Sequence, residues 1–323
     1  MLIWIIDEEW KDYDVEKEVL EAKYPGVEIR RSTYDYENDL KEFGYRADGI
    51  LAQVYASIPK STIDCLENCK GIAVYGGGYD RIDVAAARAK NISVTNISGY
   101  CAEDLADYVV AAMYFVNKGL AFYSHTVVED VKAGKWGAMA ALSPVHRLEN
   151  QTLGIVGLGV IGKTVAKRAQ ALGIHVIAFD DFVDEKTMSN LGVEKVSWRD
   201  VFKRSDYISV HLKGCDENTD KIDATALSYM KETAWLINTS RGKVVSEDAL
   251  IDAVKSKKIG GAILDVIKTE PPAGDEAILH VPNIYVTPHV SYISIESFKA
   301  LKDRALENLE NMLAGKRPRD LVN

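Results

Sequence analysis

The 323-residue chain has few cysteines, no Cys-x-x-Cys pair and no apolar run of membrane-spanning length. Four cysteines in so long a chain exclude a disulfide framework, and no His, Cys, Asp and Glu set has the spacing of metal ligands. The apolar opening, residues 1–6, meets acidic residues at Asp7 and is too short for a signal peptide. A membrane span needs about 20 apolar residues. We therefore expect a metal-free protein of the reducing cytoplasm, not bound to a membrane.

An excess of positive charge is also missing. The chain has 39 Lys and Arg against 48 Asp and Glu, a formal charge of −9, and its pI is about 5.3. This balance argues against nucleic acid as a partner. With 47% hydrophobic and 27% charged residues the composition is that of a globular protein, and the length predicts about two domains.

Short apolar runs alternate with amphipathic stretches along most of the chain. This is the pattern of strands and crossover helices around mainly parallel sheets, so the predicted fold class is α/β. Helices are predicted over residues 14–23 and 61–68, and a long helix is predicted to begin near Ala102. In the first block, strands are predicted over residues 2–6, 27–30, 49–52, 71–74 and 93–95.

The alternation becomes sharper after residue 150. Six buried strands in one block are the number in a complete dinucleotide-binding sheet, and a polar helix is predicted to follow over residues 296–313. The six predicted strands cover residues 152–156, 176–179, 207–210, 234–238, 261–264 and 284–286.

The first of these strands leads directly into Gly157-Leu-Gly159-Val160-Ile161-Gly162, the glycine loop, and helical periodicity follows. Gly157 would allow a tight turn, Gly159 would let the main chain approach a pyrophosphate, and Gly162 would permit close helix packing. The helix start at Val160 and Ile161 would present free amides to phosphate. Strand, loop and helix together predict a dinucleotide site.

Asp180 stands at the end of the next strand. An acidic side chain there is expected to accept hydrogen bonds from the adenosine ribose and to repel the 2′-phosphate of NADP, which makes NAD the expected cofactor. The alternative is that Asp180 only caps the following turn.

The chain resembles the D-isomer-specific 2-hydroxyacid dehydrogenases along nearly its whole length. Each motif is only moderately specific, but their order and separations together are strong. The matching motifs are Gly76-Gly-Gly-Tyr-Asp80-Arg-Ile-Asp83, the glycine loop with Asp180, Met230-Lys-Glu, Ile237-Asn-Thr-Ser-Arg241-Gly, Leu264-Asp-Val-Ile-Lys-Thr-Glu270-Pro and Thr287-Pro-His289.

The resemblance implies a Rossmann-type doubly wound parallel sheet inserted into a smaller flavodoxin-like α/β domain. Residues 101–290 would form the NAD-binding domain, while residues 1–100 and 291–323 would form the substrate domain, with the active site in the cleft between them. Members of the family are usually dimers formed through the cofactor domain. The apolar stretch 136–142 is a candidate for that contact or for packing within the chain.

Three side chains can supply the chemistry that reduction of a 2-keto acid needs besides the hydride. Arg241 offers a rigid fork for the carboxylate and the carbonyl, and His289 can deliver a proton near neutral pH. Glu270, if hydrogen-bonded to the imidazole, favours the charged ring and fixes its orientation. The family assigns these roles to the matching residues. Alternatively, Arg241 pairs with a surface carboxylate, Glu270 is a solvated loop residue and His289 caps a turn.

Other site residues depend more on the resemblance. Asp265 looks like the residue that binds the nicotinamide carboxamide, with a strand-end cap as its alternative, and Thr239 would add a main-chain contact. Gly77 and Gly78 match the loop whose amides hold the substrate carboxylate, although they are also ordinary turn residues. Aromatic side chains that could line the substrate side of the site include Tyr100 and Tyr292.

The sequence therefore predicts an NAD-dependent oxidoreductase that interconverts a D-2-hydroxy acid and its 2-keto acid. Lactate-like, branched or aromatic acids are favoured over 3-phosphoglycerate, because no extra Arg or Lys is evident for a phosphate. The alternatives are the same fold acting on another small anion, such as phosphite, formate or glyoxylate, or a non-enzymatic NAD-sensing scaffold.

Overall fold

A computed structural model describes residues 1–141 and 145–323 of the chain. The chain divides into two units: Met1–Tyr100 with Ser294–Asn323, and Cys101–Ile293. The chain returns to the first unit at Ser294, whereas the sequence predicts this return at residue 291. The main-chain amide of Ser291 donates to the Asp265 carboxylate at 2.8 Å, which ties this part of the chain to the second unit.

The first unit is built on a five-stranded sheet whose strands are all parallel, in the order β2-β1-β3-β4-β5. This order is that of flavodoxin-like proteins. The strands β1, β3 and β4 are buried along their whole length, as expected for a parallel sheet covered on both faces. The strands are β1 (Leu2–Ile6), β2 (Glu28–Ser32), β3 (Gly49–Gln53), β4 (Gly71–Tyr75) and β5 (Ser93–Thr95).

Five helices cover this sheet. The last, α12, begins with a capping box between Ser294 and Ser297. Although it is polar in composition, it buries an apolar stripe that includes Leu301 and Leu309 against Ile3 and Ile5. Helix α3 ends earlier than predicted because Leu66 is already extended. The helices are α1 (Asp14–Lys23), α2 (Glu37–Glu42), α3 (Lys60–Cys65), α4 (Val84–Ala89) and α12 (Ile295–Leu313).

The second unit contains a seven-stranded parallel sheet in the order β12-β11-β10-β9-β6-β7-β8. Six strands match the predicted set, but the predicted count of six is wrong. The extra strand, β8, consists of two exposed charged residues at the sheet edge, so it has no apolar run for a pattern to detect. The strands are β6 (Thr152–Val156), β7 (His175–Phe179), β8 (Glu194–Lys195), β9 (Tyr207–Val210), β10 (Trp235–Asn238), β11 (Gly261–Leu264) and β12 (Ile284–Val286).

Seven α-helices of the described residues belong to this unit, and α5 begins at Ala102 as predicted. They are α5 (Ala102–Asn117), α6 (Leu120–Lys132), α7 (Val160–Ala171), α8 (Glu185–Asn190), α9 (Trp198–Arg204), α10 (Ala224–Ser228) and α11 (Glu247–Lys255). The predicted α/β class with a Rossmann-type and a flavodoxin-like sheet is confirmed. Of the helices in residues 1–141 and 145–323, none is both long and apolar enough to cross a membrane.

The strand order of the seven-stranded sheet reverses between β6 and β9: strands β6 to β8 follow one another towards one edge, and strands β9 to β12 towards the other. Open α/β sheets bind their ligands outside the carboxyl ends of the strands at such a point. Five of the predicted site residues of this unit follow strand ends: Gly157 after β6, Asp180 after β7, Thr239 after β10, Asp265 after β11 and His289 after β12.

Candidate active site

The glycine loop has the geometry that a pyrophosphate site needs. Gly157 has φ +94°, and a Cβ there would lie 2.7 Å from the carbonyl oxygen of His211. A Cβ on Gly162 would lie 2.3 Å from the carbonyl oxygen of Gly157, so the helix packs closely on the loop. At Gly159 a Cβ would meet nothing within 4 Å. Open space therefore lies beside the loop where a phosphate would approach.

The main-chain amides at the start of α7 are also suited to bind a phosphate. The helix begins at Val160, and Gly159 before it provides no side-chain cap. The first amides of a helix have no partner within the helix and attract anions. The residues present thus fit a dinucleotide pyrophosphate.

Alanine substitutions separate the two functions of these glycines. Gly159→Ala is expected to leave the melting temperature unchanged but to weaken NADH binding by about tenfold or more, because its methyl group enters the space for the phosphates. Gly162→Ala is expected to destabilise the protein by about 1–3 kcal/mol, since its methyl group meets main-chain atoms. Thermal unfolding and NADH titration measure both. Unchanged NADH affinity in Gly159→Ala would contradict the phosphate site.

The Asp180 side chain accepts hydrogen bonds from main-chain amides of the glycine loop and of the turn that follows β7. Its Oδ2 accepts a hydrogen bond from Leu158 in the glycine loop at 2.7 Å. Its Oδ1 accepts from Phe182 at 2.8 Å and Val183 at 3.1 Å. The structure thus contains the turn cap considered as the alternative. A carboxylate has about four acceptor positions, so one remains for a ribose hydroxyl.

Asp265 is buried at the end of β11 and holds the histidine turn, residues 287–291. Its main-chain oxygen accepts from the amide of His289 at 2.9 Å. Its carboxylate accepts from the amides of Val290 and Ser291 at 2.9 and 2.8 Å and from the Thr287 hydroxyl at 2.6 Å. The strand-end cap considered as the alternative is therefore present, again with one acceptor position left.

His289 and Glu270 form a close pair. The imidazole Nδ1 lies 3.0 Å from Oε2 of Glu270, and the two side chains are only 18% and 16% exposed. The other oxygen, Oε1, accepts from the main-chain amide of Ile267 at 2.9 Å. Glu270 is thus not a solvated loop residue. The ring of Tyr292 lies edge-on to the imidazole, with 6.1 Å between the ring centroids.

The surroundings of Glu270 keep it charged. Burial by itself would raise the pKa of this carboxyl. The hydrogen bond and positive charge of His289, the amide of Ile267 and the charge of Arg241 outweigh burial and hold the pKa below its usual value. The structure thus joins His289 and Glu270 by a hydrogen bond, and the charge of Arg241 acts on the same carboxylate.

Arg241 is positioned by residues that the sequence analysis missed. The Asn238 side chain at the end of β10 donates to the carbonyl oxygen of Arg241 at 3.0 Å and accepts from the amide of Ser240 at 3.0 Å. A Cβ on Gly214 would lie 2.5 Å from Cγ of Arg241, and one on Gly242 would lie 1.9 Å from main-chain atoms of Ile267. Glycine at position 214 leaves room for the stem of Arg241, and glycine at position 242 lets the Arg241 loop approach residues 267 and 268 closely.

Two polar side chains near the strand ends have buried atoms without a hydrogen-bond partner among the described residues. These atoms are the hydroxyl oxygen of Thr239 and Nδ1 of His211. Burial lowers the pKa of His211 to about 4, so its ring is neutral near physiological pH. Its Nε2 lies 2.8 Å from the Ser209 hydroxyl oxygen. Unsatisfied buried polar groups of this kind suit a site that a polar ligand completes.

The remaining predicted site residues are divided between the two units. Gly77, Gly78 and Tyr100 belong to the first unit, whereas Arg241 and Tyr292 belong to the second. Gly77 and Gly78 follow β4, and the carbonyl oxygen of Gly77 accepts from the Asn96 side chain at 2.7 Å. Tyr100 packs against the apolar cluster beneath α12.

The parallel sheet, the glycine loop, the acidic residue after β7 and the Arg, Glu and His cluster define a class, the dinucleotide-dependent oxidoreductases. A sequence model of the family "D-isomer specific 2-hydroxyacid dehydrogenase, NAD binding domain" matches residues 116–291, within the second unit. Relatives and solved structures agree with it.

Curated relatives match along most of their length. The chain is 33% identical to a glycerate dehydrogenase of Methylorubrum extorquens, over 95% of this chain and 97% of that one. It is 36% identical to a glyoxylate reductase of Korarchaeum cryptofilum, over 85% and 80%. A D-lactate dehydrogenase from Aquifex aeolicus, solved with NAD and lactic acid, superposes with a TM-score of 0.84 at 27% identity, covering 97% and 96%.

The chain therefore belongs to the D-isomer specific 2-hydroxyacid dehydrogenase family. It is an NAD-dependent oxidoreductase, as the sequence analysis predicted. Among the described residues, no three His, Cys, Asp or Glu side chains are grouped so that they could hold a metal ion.

Proposed function

We propose that the protein interconverts a small 2-keto acid and the corresponding D-2-hydroxy acid, with Arg241, Glu270 and His289 as its catalytic residues. The observation that supports this most directly is the half-buried His289–Glu270 pair, with 3.0 Å between Nδ1 and Oε2, beside a guanidinium that acts on the same carboxylate. A guanidinium, an imidazole and a carboxylate are the groups that keto acid reduction needs from the protein.

Each residue has a distinct task in the reduction. Arg241 binds the substrate carboxylate and polarises the ketone, for which its planar fork is suited. Nδ1 of His289 is bonded to Glu270, so the proton for the developing alkoxide is held at Nε2. Glu270 stabilises the charged imidazole and fixes its orientation. When bound, NADH supplies the hydride.

The cofactor contacts are proposed from the same strand ends. Gly157, Gly159, Val160, Ile161 and Gly162 would hold the pyrophosphate through main-chain amides. We assign Asp180 to the ribose, and Thr239 and Asp265 to the nicotinamide carboxamide. Each of the two carboxylates has one acceptor position left for such a bond.

We further propose that the substrate is a small, unphosphorylated acid. Gly77 and Gly78 would bind its carboxylate through their amides, and Tyr100 and Tyr292 would contact its side chain. The names of the relatives, which refer to glycerate, glyoxylate and lactate, support a small substrate. Glyoxylate, which the sequence analysis placed among the alternatives, is itself a 2-keto acid.

A steady-state survey tests this function. Purified protein is assayed with NADH against glyoxylate, pyruvate, hydroxypyruvate, branched and aromatic 2-keto acids, and in the reverse direction with phosphite and formate plus NAD. Turnover of at least one 2-keto acid is expected. Binding of NADH without turnover of any of them would favour the non-enzymatic alternative, and oxidation of phosphite or formate alone would favour the other-anion alternative.

The pH dependence of the reduction tests the role of Glu270. Reduction uses a proton that the imidazole delivers, so its rate is expected to fall as the pH rises. Removing the carboxylate charge in Glu270→Gln is expected to move this fall to lower pH, because the charged ring loses the partner that stabilises it. Asp275→Asn, which removes a charge from the exposed loop nearby, is the matched control and is expected to leave the profile unchanged. A Glu270→Gln profile that coincides with that of the wild type would contradict the assignment.

We also propose a cytoplasmic homodimer. The four cysteines are free thiols, which suits a reducing compartment. Helix α6 exposes Val128 and Val131, and the following segment exposes Trp136 and Met139 to 70% and 69%. The predicted contact, residues 136–142, extends beyond the described residues at Leu142. Apolar side chains this exposed favour a second copy as the occupant, which sedimentation equilibrium tests.

A further inference from the structure

A chain of hydrogen bonds connects helix α5 to the histidine turn. The hydroxyl oxygen of Tyr108 lies 2.6 Å from that of Thr287. The Thr287 hydroxyl donates to Oδ1 of Asp265 at 2.6 Å. The Asp265 carboxylate in turn accepts from the amides of Val290 and Ser291, which flank His289 on its carboxyl side.

The direction of these bonds follows from the number of protons. A hydroxyl has one proton to donate, and that of Thr287 goes to Asp265. Tyr108 must therefore be the donor in its bond with Thr287. Burial, together with the charge of Asp265, raises the pKa of Tyr108 to about 12, so the phenol keeps its proton near neutral pH.

The histidine turn depends on these bonds for its shape. His289 has φ +53°, a left-handed conformation that is strained for a residue other than glycine. The Asp265 carboxylate accepts from the amides of Val290 and Ser291, and its main-chain oxygen accepts from the amide of His289, so these bonds restrain the turn.

We propose that Tyr108 is a positioning residue for the reaction: through Thr287 it fixes the Asp265 carboxylate, which fixes the turn and the approach of His289 to its substrate. This inference rests on the proposed function, because it assigns Tyr108 an effect on the step that His289 performs. Tyr108 itself bonds only to the Thr287 hydroxyl in this chain, and three successive hydrogen bonds separate it from the amides of Val290 and Ser291. A misplacement of about 1 Å in such a site can cost up to about 10²-fold in rate.

A double-mutant cycle tests the proposal. Tyr108→Phe removes the phenol hydroxyl, Thr287→Val removes the linking hydroxyl at nearly the same volume, and Thr287→Ser keeps that hydroxyl. Tyr108→Phe is expected to lower kcat about tenfold with little change in KM for the keto acid. The double variant should be no slower than Thr287→Val alone, because both substitutions break the same chain, and Thr287→Ser should retain most of the activity. Tyr114→Phe, on the same helix, is the matched control.

The results that would overturn the proposal are equally definite. Wild-type kcat in Tyr108→Phe, or multiplicative effects of Tyr108→Phe and Thr287→Val, would show that the chain does not position His289. Thermal unfolding of each variant shows whether it still folds. If Thr287→Val does not fold, the single variants Tyr108→Phe and Thr287→Ser still decide the question.

An NMR readout separates this proposal from the proposed function. The imidazole signals of His289, labelled with nitrogen-15, are expected to shift in Tyr108→Phe and Thr287→Val but not in Tyr114→Phe. If the wild type turns over no 2-keto acid while these signals shift, the proposed function fails and the positioning of His289 by Tyr108 stands. If the wild type is active and the signals do not shift, the positioning fails alone.

Discussion

His289→Asn is expected to lower kcat for keto acid reduction by about 10² to 10⁴-fold, the usual contribution of a general acid. Asparagine retains a group that can donate to Glu270, but it cannot hold and release a proton near neutral pH. The affinity for NADH should stay within about twofold of the wild type, since the contacts proposed for the cofactor's phosphates and ribose lie at the glycine loop and Asp180. Stopped-flow or steady-state rates and NADH fluorescence titration measure the two quantities.

The matched control for this variant is His280→Asn. His280 is exposed in the same unit and its Nε2 lies 3.1 Å from the carbonyl oxygen of Gly274. Its replacement should leave kcat unchanged. If His289→Asn turned over as fast as His280→Asn, the assignment of His289 as proton donor would be wrong.

Arg241→Gln is expected to lower kcat/KM by roughly 10² to 10⁴-fold, because two hydrogen bonds to a charged group are worth about 1.5–3 kcal/mol each. Arg241→Lys should recover only part of this loss, since an ammonium group cannot bind carboxylate and carbonyl together through a planar fork. Both effects should appear in KM as well as in kcat, because the guanidinium contacts the substrate before and during the reaction.

Lys243→Gln serves as the control for charge alone. Lys243 lies two positions further along the same loop, and its Nζ is 3.8 Å from an exposed carboxylate oxygen of Asp216. Its removal should change kcat/KM by less than about threefold, as expected for an exposed pair. Comparable losses in Arg241→Gln and Lys243→Gln would show that net charge, and not a bound substrate carboxylate, explains the effect.

The sequence predicts the sheets well because buried parallel strands are continuous apolar runs, which pattern analysis detects. Strand β8 escapes detection since Glu194 and Lys195 are exposed at the edge, where only main-chain pairing defines the strand. The sequence predicts the second boundary between the units at residue 291, whereas the structure divides them at Ser294. Bonds between Asp265 and the amides of residues 290 and 291, which are distant from it in sequence, connect this segment to the second unit.

A motif fixes both residue type and position for Arg241, Glu270 and His289, so the sequence alone proposes them as catalytic residues, and that role stays a prediction. The residues that support them could not be proposed in this way. Asn238 lies in the same motif as Arg241, but the motif gives it no role, and Gly214 matters only because the stem of Arg241 passes over it. Tyr108 is about 180 positions from Thr287 in the chain, and only the fold brings the two hydroxyl groups together.

Asp180 and Asp265 show a second limit of pattern reading. A ligand-binding role and a structural cap were weighed as alternatives for each, yet a carboxylate has about four acceptor positions. Each of the two carboxylates accepts three hydrogen bonds from groups of the protein, and one acceptor position remains. The bonds that we propose from these two residues to the cofactor would couple the order of each loop to the occupancy of the site.

Stereospecific label transfer measures the central claim most directly. NADH deuterated at C4 of the nicotinamide, in each of its two epimers, is incubated with the protein and the best keto acid of the survey other than glyoxylate, whose product has no D-enantiomer, and the product is analysed by NMR and chiral chromatography. We expect one deuterium at C2 of the D-enantiomer from a single epimer, because a guanidinium that binds carboxylate and ketone and an imidazole that protonates the ketone oxygen hold the substrate in one orientation. A product without deuterium, or one of mixed configuration, would contradict the proposed arrangement.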